Sequence, residues 1–286
     1  MIELQHLQPD TVIFQCRYSP DSIPEFQAVK RFSNARRIYE LDDYIIEVPE
    51  KNAHARNMPT NMRERVSQGI ALCDRVVVST EPLADALSSM HSDIRVVPNM
   101  LAASLWAGLQ GQRQTSARPR VGWAGGTSHR GDLELILDVV KALADEVDWV
   151  FFGMCPESLR PYVKEFHGSV PLEMYPRKLA SLNLDLALAP LEINLFNDCK
   201  SNLRLLEYGA CGFPVICTDT KAYRGYLPCT RVRDNSTPEW LDAIRMHLAD
   251  PGASYRQGDA LREAVLCDYV LTENNLQLWA NAWLAD

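Results

Sequence analysis

Short apolar runs rich in β-branched residues alternate with stretches of helical periodicity along the whole chain, and this alternation restricts the fold more than any other feature. The runs predict strands at Thr11–Gln15, Arg37–Glu40, Arg75–Ser79, Ile94–Pro98, Arg120–Trp123, Trp149–Gly153, Val170–Met174, Leu184–Ala189 and Val215–Thr218, with a weak one near Arg231. Apolar spacing predicts helices at 22–32, 59–72, 81–90, 132–146, 157–166, 177–182, 200–211, 238–249, 254–266 and 271–285. Strands and helices in alternation imply parallel sheets covered by helices on both faces. The stretch Ala107–Pro119 (AGLQGQRQTSARP) breaks the pattern: it is polar, holds Gly and Pro and has no apolar period, so it reads as a linker. Residues 120–268 carry enough strands for a full doubly wound sheet, whereas 1–106 carry fewer and form an abbreviated unit. A length of 286 residues suits two such units at roughly 100–200 residues per domain.

Charge then narrows the partners. Lys and Arg number 29 against 37 Asp and Glu, a net charge of −8, which lacks the basic footprint of a general nucleic-acid binder. An anionic ligand must be held by a local group of cations and backbone donors. No apolar run approaches the ~20 residues that cross a bilayer, so no transmembrane segment is expected. The start, Met1-Ile2-Glu3-Leu4-Gln5, has neither the basic nor the apolar region of a signal peptide. The eight cysteines form no C-x-x-C pair and no Cys/His cluster at zinc spacing, so they read as small buried hydrophobes in a reducing compartment. A cytoplasmic protein without structural zinc is the expectation.

In open α/β sheets ligands bind where strand-to-helix loops leave the carboxyl ends of strands. One such loop runs from Val121 through Gly125, Gly126, Thr127, Ser128, His129 and Arg130 to Asp132. Its glycines let backbone approach a ligand, and the following helix start and Arg130 favour an anion. It fits neither standard phosphate-loop spacing, and a plain capped turn remains an alternative. A second loop runs from Ala189 to Ile216, with Glu192, then Asn197 or Asp198 as a helix cap, and Gly212 with Pro214 as the stop. On the helix between them Lys200, Arg204 and Glu207 fall at i, i+4 and i+7 and share a face. Lys200 with the first-turn N–H groups can cradle a diphosphate, and Glu207 can accept ribose hydroxyls. The alternative is a capped helix whose Arg204 and Glu207 form a surface pair worth a few tenths of a kcal/mol, roughly.

The string Cys199–Ile216, CKSNLRLLEYGACGFPVI, resembles the nucleotide-sugar element of group 1, family 4-like glycosyltransferases with the GT-B fold. The segments VVPNML, GWAGGTSHRGDL, WVFFG and LNLDLALAPL follow that family's order, and RIYELDD and CDRVVVSTEPLADAL are similar to its first-domain elements. The resemblance implies two Rossmann-like doubly wound parallel-sheet domains facing a cleft, the first abbreviated. It implies sugar transfer from a nucleotide diphosphate sugar to a hydroxyl of a glycan, lipid-linked or protein acceptor, with retention, with no metal or other cofactor, and in glycan or cell-surface polysaccharide synthesis. Glu207 matches the family's ribose-binding glutamate, and Arg130 and Lys200 its diphosphate cations. Backbone donors at Gly125, Gly126, Ser201 and Asn202 assist them, with Thr127 and His129 in the same donor loop.

Where many members carry a glutamate facing the donor sugar, this chain has Cys199, which leaves Glu192, Asp198 and Cys199 as candidate sugar contacts. Asp42 and Asp43 are read as lining the acceptor side of the cleft rather than holding a metal. Residues 269–286, with Trp279 and Trp283 at i, i+4, resemble the terminal helix that in GT-B enzymes crosses back to the first domain. The short first unit keeps other readings open: a non-catalytic nucleotide-sugar or glycan-binding module, one part of a larger assembly, or a sugar-nucleotide epimerase or hydrolase on the same plan.

Overall fold

A computed structural model describes residues 2–19 and 21–285. Met1, Pro20 and Asp286, which the expected units 1–106 and 269–286 include, lie outside the described residues.

The first sheet holds β1 (Thr11–Gln15), β2 (Arg36–Leu41), β3 (Arg75–Val78) and β4 (Ile94–Val96), all parallel and adjacent in chain order. Right-handed crossovers stepping in one direction place every connecting helix on the same face. On that face Phe14, Tyr39, Leu41, Val76 and Val78 pack against Phe26, Val66, Ile70, Leu83 and Leu87 from the three helices Ser22–Phe32, Met62–Ala71 and Glu81–Leu87. Abbreviation therefore takes a definite form, a sheet with no reversal of strand order. Strand alternation sends Ile38 and Val77 to the opposite face. There, with Val97, they meet Trp279, Ala282 and Trp283 of the C-terminal helix Glu273–Leu284. Trp283 Nε1 donates to Glu40 Oε2 at 3.1 Å, and buried Arg75 donates to the carbonyls of Ala282 at 2.9 Å and Ala285 at 2.7 Å. A cation at a helix C-terminus satisfies carbonyls that have no partner within the helix.

After the short strand β5 (Leu101–Ala102) comes the second sheet: β6 (Arg120–Ala124), β7 (Asp148–Gly153), β8 (Glu165–Gly168), β9 (Leu186–Ala189), β10 (Val215–Thr218) and β11 (Thr230–Val232). Its order is β11-β10-β9-β6-β7-β8, all parallel, so the winding reverses between β6 and β9. One face buries Trp123, Phe151, Trp149, Val140 and Trp240; the other buries Phe152, Leu206, Tyr208, Phe213 and Leu261. Finally β12 (Val270–Leu271) pairs in parallel with β5, joining the segment ahead of the linker to the approach of the C-terminal helix. The linker lies along the second half: Gly111 N donates to Cys211 O, Gln112 N to Asn183 and Gln114 N to Asp185. No helix among the described residues is long and apolar enough to cross a membrane.

Several expectations need correction. The third strand of the second sheet is Glu165–Gly168 rather than Val170–Met174, which instead holds a 3-10 turn at Leu172–Met174. An edge strand needs one neighbour and little apolar content, and the bidentate pair Arg120–Glu165 (2.7 and 2.9 Å) fastens it. The helix expected at 157–166 shrinks to a 3-10 turn at Arg160–Tyr162, with Pro161 inside it. The helix expected at 132–146 is broken into Arg130–Glu134 and Leu137–Ala142. The helix expected at 200–211 starts only at Leu203, and a separate helix, Leu195–Asp198, precedes it with Asn194 as its cap. Lys200 and Ser201 thus lie in the connection between two helices.

Candidate functional site

Where the second sheet reverses its order, the strand ends open into a cleft of about 420 Å³ whose opposite wall is Asp42, Asp43 and Asn99 of the first half. Two glycines bring the second wall together. Gly125 N donates to Phe152 O at 2.9 Å, which seats the loop after β6 against the end of β7. Gly153, at the end of β7, has φ +90°, and a Cβ there would stand 2.2 Å from Gly125 O. A Cβ at Gly125 would stand 2.5 Å from Arg204 Nη1. Only glycine permits this packing of strand end, loop and guanidinium.

Arg204 comes from the helix Leu203–Ala210 and lies over the Trp123 ring, 5.1 Å from its centroid. Its Nη2 meets His129 Nε2 at 3.1 Å, while its Nη1 is out of solvent contact and has no partner among the described residues. A buried donor left unpaired costs about 1–3 kcal/mol. His129 Nδ1 lies 2.8 Å from Asp132 Oδ2, and the other carboxylate oxygen accepts from Glu192 N (2.7 Å) and Asn197 Nδ2 (3.0 Å). Burial, then the charge of Arg204, pushes the His129 pKa down to about 4. The imidazole is therefore neutral at pH 7, with Nδ1–H donating to Asp132 and Nε2 accepting from Arg204.

Glu207 stands one turn further along the same helix and accepts a hydrogen bond from Tyr175 OH at 3.0 Å. Burial raises its pKa, against the opposing effects of Arg204 and the Tyr175 bond. Tyr175 is itself fixed by stacking on Phe152, with centroids 5.3 Å apart. Lys200 is 12 % exposed; its ammonium lies 4.5 Å from the Phe196 ring centroid and 3.7 Å from Asp43 Oδ1. Burial raises the Asp43 pKa, and Lys200 opposes that rise. Ser201 Oγ accepts from Asn99 Nδ2 at 3.1 Å.

The cleft thus gathers Gly125, Gly126, His129, Lys200, Ser201, Glu207, Asp42 and Asp43. Other candidates lie elsewhere. The Arg130 side chain is 62 % exposed and pairs with Glu134 at 3.3 Å, because the 3-10 turn Thr127–His129 sends His129 inward and starts the next helix outward. Thr127 is exposed outside the cleft. Glu192 faces Lys51 (3.5 Å), Asp198 Oδ1 accepts from Lys221 N (3.0 Å), and Asn202 starts the helix Leu203–Ala210 without a side-chain capping bond. Cys199 is buried in the core of the first half with Phe196; its Sγ points to Pro82 O, its carbonyl accepts from Thr80, and burial pushes the thiol up to about 11. Nor do Arg204 and Glu207 form the surface pair that their i, i+3 spacing allowed, since both turn into the cleft wall. Sequence reading does not single out Tyr175, Tyr223 or Asn99, although Asn99 lies in the family-like segment VVPNML, and it leaves Arg204 between two roles.

No protein-family model and no curated protein matches the chain. Solved structures do match. TarM superposes with a TM-score of 0.70 over 98% of this chain at 16% identity. Sucrose-phosphate synthase from Thermosynechococcus elongatus gives 0.70 over 97% at 16% identity. Anabaena Alr3699/HepE, solved in complex with UDP-glucose, gives 0.69 over 98% at 13% identity. The chain spans 57% of TarM, 74% of the synthase and 80% of HepE. Likeness at these identities establishes the fold: the chain has the GT-B fold, two parallel α/β sheets facing a cleft.

Proposed function

We propose that the chain is a glycosyltransferase that moves a sugar from a nucleotide diphosphate sugar to an acceptor hydroxyl. The observation that carries the reading is the convergence of Lys200, Glu207 and the glycine loop on one cleft at the point of strand reversal. Ligands of open α/β sheets bind there. HepE, of the same fold, is solved with UDP-glucose in one structure and with UDP and glucose in another. In transfer, the acceptor hydroxyl oxygen bonds to the anomeric carbon while the bond from that carbon to the diphosphate oxygen breaks; the electron pair leaves with the nucleoside diphosphate, whose freed phosphate oxygen takes up the hydroxyl proton. Stabilising that developing charge is the main catalytic demand. Lys200 meets it by leaving Asp43 for a phosphate oxygen. Glu207, anchored by Tyr175, accepts ribose hydroxyls and so sets where the diphosphate lies. The acceptor enters on the side of Asp42 and Asp43.

Retention at the anomeric carbon, independence from a metal, a place in glycan or cell-surface polysaccharide synthesis and a cytoplasmic location complete the proposal. They rest on the family resemblance and, for location, on eight free cysteines. One observation favours a second reading, a nucleotide-sugar-binding module without turnover: Cys199, where many relatives carry a sugar-facing acid, is turned away into the first half.

A panel of UDP-, GDP-, TDP- and ADP-sugars, scored for binding and for slow release of nucleoside diphosphate, separates the two. Saturable binding with turnover, lost in Glu207→Ala and Lys200→Ala, supports the transferase. Binding without turnover across a broad acceptor panel supports the module, and no binding to any member rejects both.

A further inference from the structure

We propose that Arg204, oriented by His129, binds a phosphate oxygen of the nucleoside diphosphate and so takes the role that the family resemblance implies for Arg130. This rests on the donor-site reading above and goes further by assigning the charge recognition to a side chain and its support.

A nucleoside diphosphate carries more negative charge than Lys200 alone can balance. The Gly125 N–H is already committed to Phe152 O, so the loop after β6 offers less backbone than its glycines suggest. Arg130 points to solvent and Glu134. Arg204, by contrast, is a cleft-lining residue whose buried Nη1 has no hydrogen-bond partner among the described residues. A planar guanidinium suits phosphate because it presents parallel N–H groups.

The surroundings keep its charge available. Its polar neighbour at hydrogen-bond distance is the neutral His129, which fixes the plane of the fork without cancelling its charge. The carboxylate that could cancel it, Asp132, is one residue removed and holds His129 together with Glu192 N and Asn197 Nδ2. Glu207, the carboxylate on the same helix, bonds to Tyr175. The Trp123 ring lies against the guanidinium, and the missing side chain of Gly125 lets the loop backbone pack on both, since a Cβ there would stand 2.5 Å from Arg204 Nη1 and 2.6 Å from Trp123. Arg204 is thus a binding residue, and His129 a positioning residue acting through it.

The test is a titration of the intact chain with UDP, GDP, TDP and ADP and with the matching nucleosides, alongside thermal unfolding of each variant. For the diphosphate that binds, Arg204→Met should weaken affinity about 100-fold and Arg204→Lys about tenfold, with nucleoside affinity within about twofold of wild type; charge-assisted bonds of this kind span that range. His129→Leu should weaken the diphosphate about tenfold, and His129→Gln, which keeps an acceptor, should restore most of it. Should Arg204→Met fail to fold, Arg204→Lys and the His129 pair carry the comparison. Wild-type affinity in Arg204→Lys and His129→Leu overturns the proposal while the donor reading stands. So does a loss of the phosphate contribution in Arg130→Ala with none in Arg204→Lys. Absence of any diphosphate binding by the wild type rejects the donor reading itself.

Discussion

Replacing Gly153 by alanine should damage both stability and ligand binding, because one backbone contact serves both. Gly153 has φ +90°, in the region an alanine avoids at a cost of about 1–2 kcal/mol. Its new Cβ would lie 2.2 Å from the carbonyl oxygen of Gly125, and backbone cannot swing aside as a flexible side chain can. Forcing an atom into packed space costs about 1–3 kcal/mol more. The sum, about 2–5 kcal/mol, is a large share of the ~5–15 kcal/mol that holds a domain folded. Urea unfolding followed by tryptophan fluorescence reads it directly, since Trp123, Trp149 and Trp240 are all buried in the same half. The displaced Gly125 also presses toward Arg204, so nucleoside diphosphate affinity should fall in whatever fraction stays folded. Gly126→Ala is the control: its Cβ meets nothing within 4 Å, and its stability cost should stay within about 0.5 kcal/mol. A Gly153→Ala protein destabilised by less than about 1 kcal/mol, with unchanged affinity, would refute the argument that glycine is required for this close approach.

Four further outcomes are expected. Phe196→Ala removes a buried ring shared by the two halves and should cost about 3–5 kcal/mol in urea unfolding, whereas an exposed-site cost below 0.5 kcal/mol would show the ring is dispensable. Cys199→Glu should not create a sugar contact but should destabilise the chain, because it puts a carboxylate into an apolar core; improved donor binding in a stable variant would contradict this placement. Asp43→Asn should tighten nucleoside diphosphate binding by a factor of about two to five, since an ion pair of 0.2–1 kcal/mol, roughly, no longer competes for Lys200; weaker binding would mean that Asp43 itself supports the ligand. His129, with a native pKa of about 4 against an unfolded value near 6.5, favours the folded state fully above pH 6.5 and loses that contribution as pH falls through 4. The stability of wild type relative to His129→Gln should therefore drop by about 3 kcal/mol between pH 7 and pH 4, and a flat difference would refute the assignment.

The second half was the more legible because its signals are local. The apolar runs of β6, β7, β9 and β10 are buried on both faces, and such strands read as continuous hydrophobic stretches. The edge strand Glu165–Gly168 was missed because one neighbour and an ion pair from Arg120 hold it, so it needs no apolar pattern. In the site, Lys200 and Glu207 were found through a resemblance that covers their segment, and the structure sets both on the cleft. Arg130 and His129 are adjacent, and spacing alone could not say which points inward; a 3-10 turn decides it. Arg204 was ambiguous for a similar reason. The pairing with Glu207 that helix geometry suggests does not form, while the contact that does form, with His129, crosses 75 residues and depends on the folded sheet. Cys199 was left open because nothing in the sequence shows that the short helix Leu195–Asp198 turns the following residue into the first half's core.

In the proposed donor site, the cleft between the two sheets receives a nucleoside diphosphate in one orientation. A crystal structure of the intact chain with the diphosphate selected from the UDP, GDP, TDP and ADP panel tests it most directly. Ribose hydroxyls are expected within hydrogen-bond distance of Glu207 and phosphate oxygens between Lys200 and Arg204, with Lys200 moved away from Asp43. A nucleotide seated elsewhere, or one reversed so that its phosphates lie away from both cations, would contradict it.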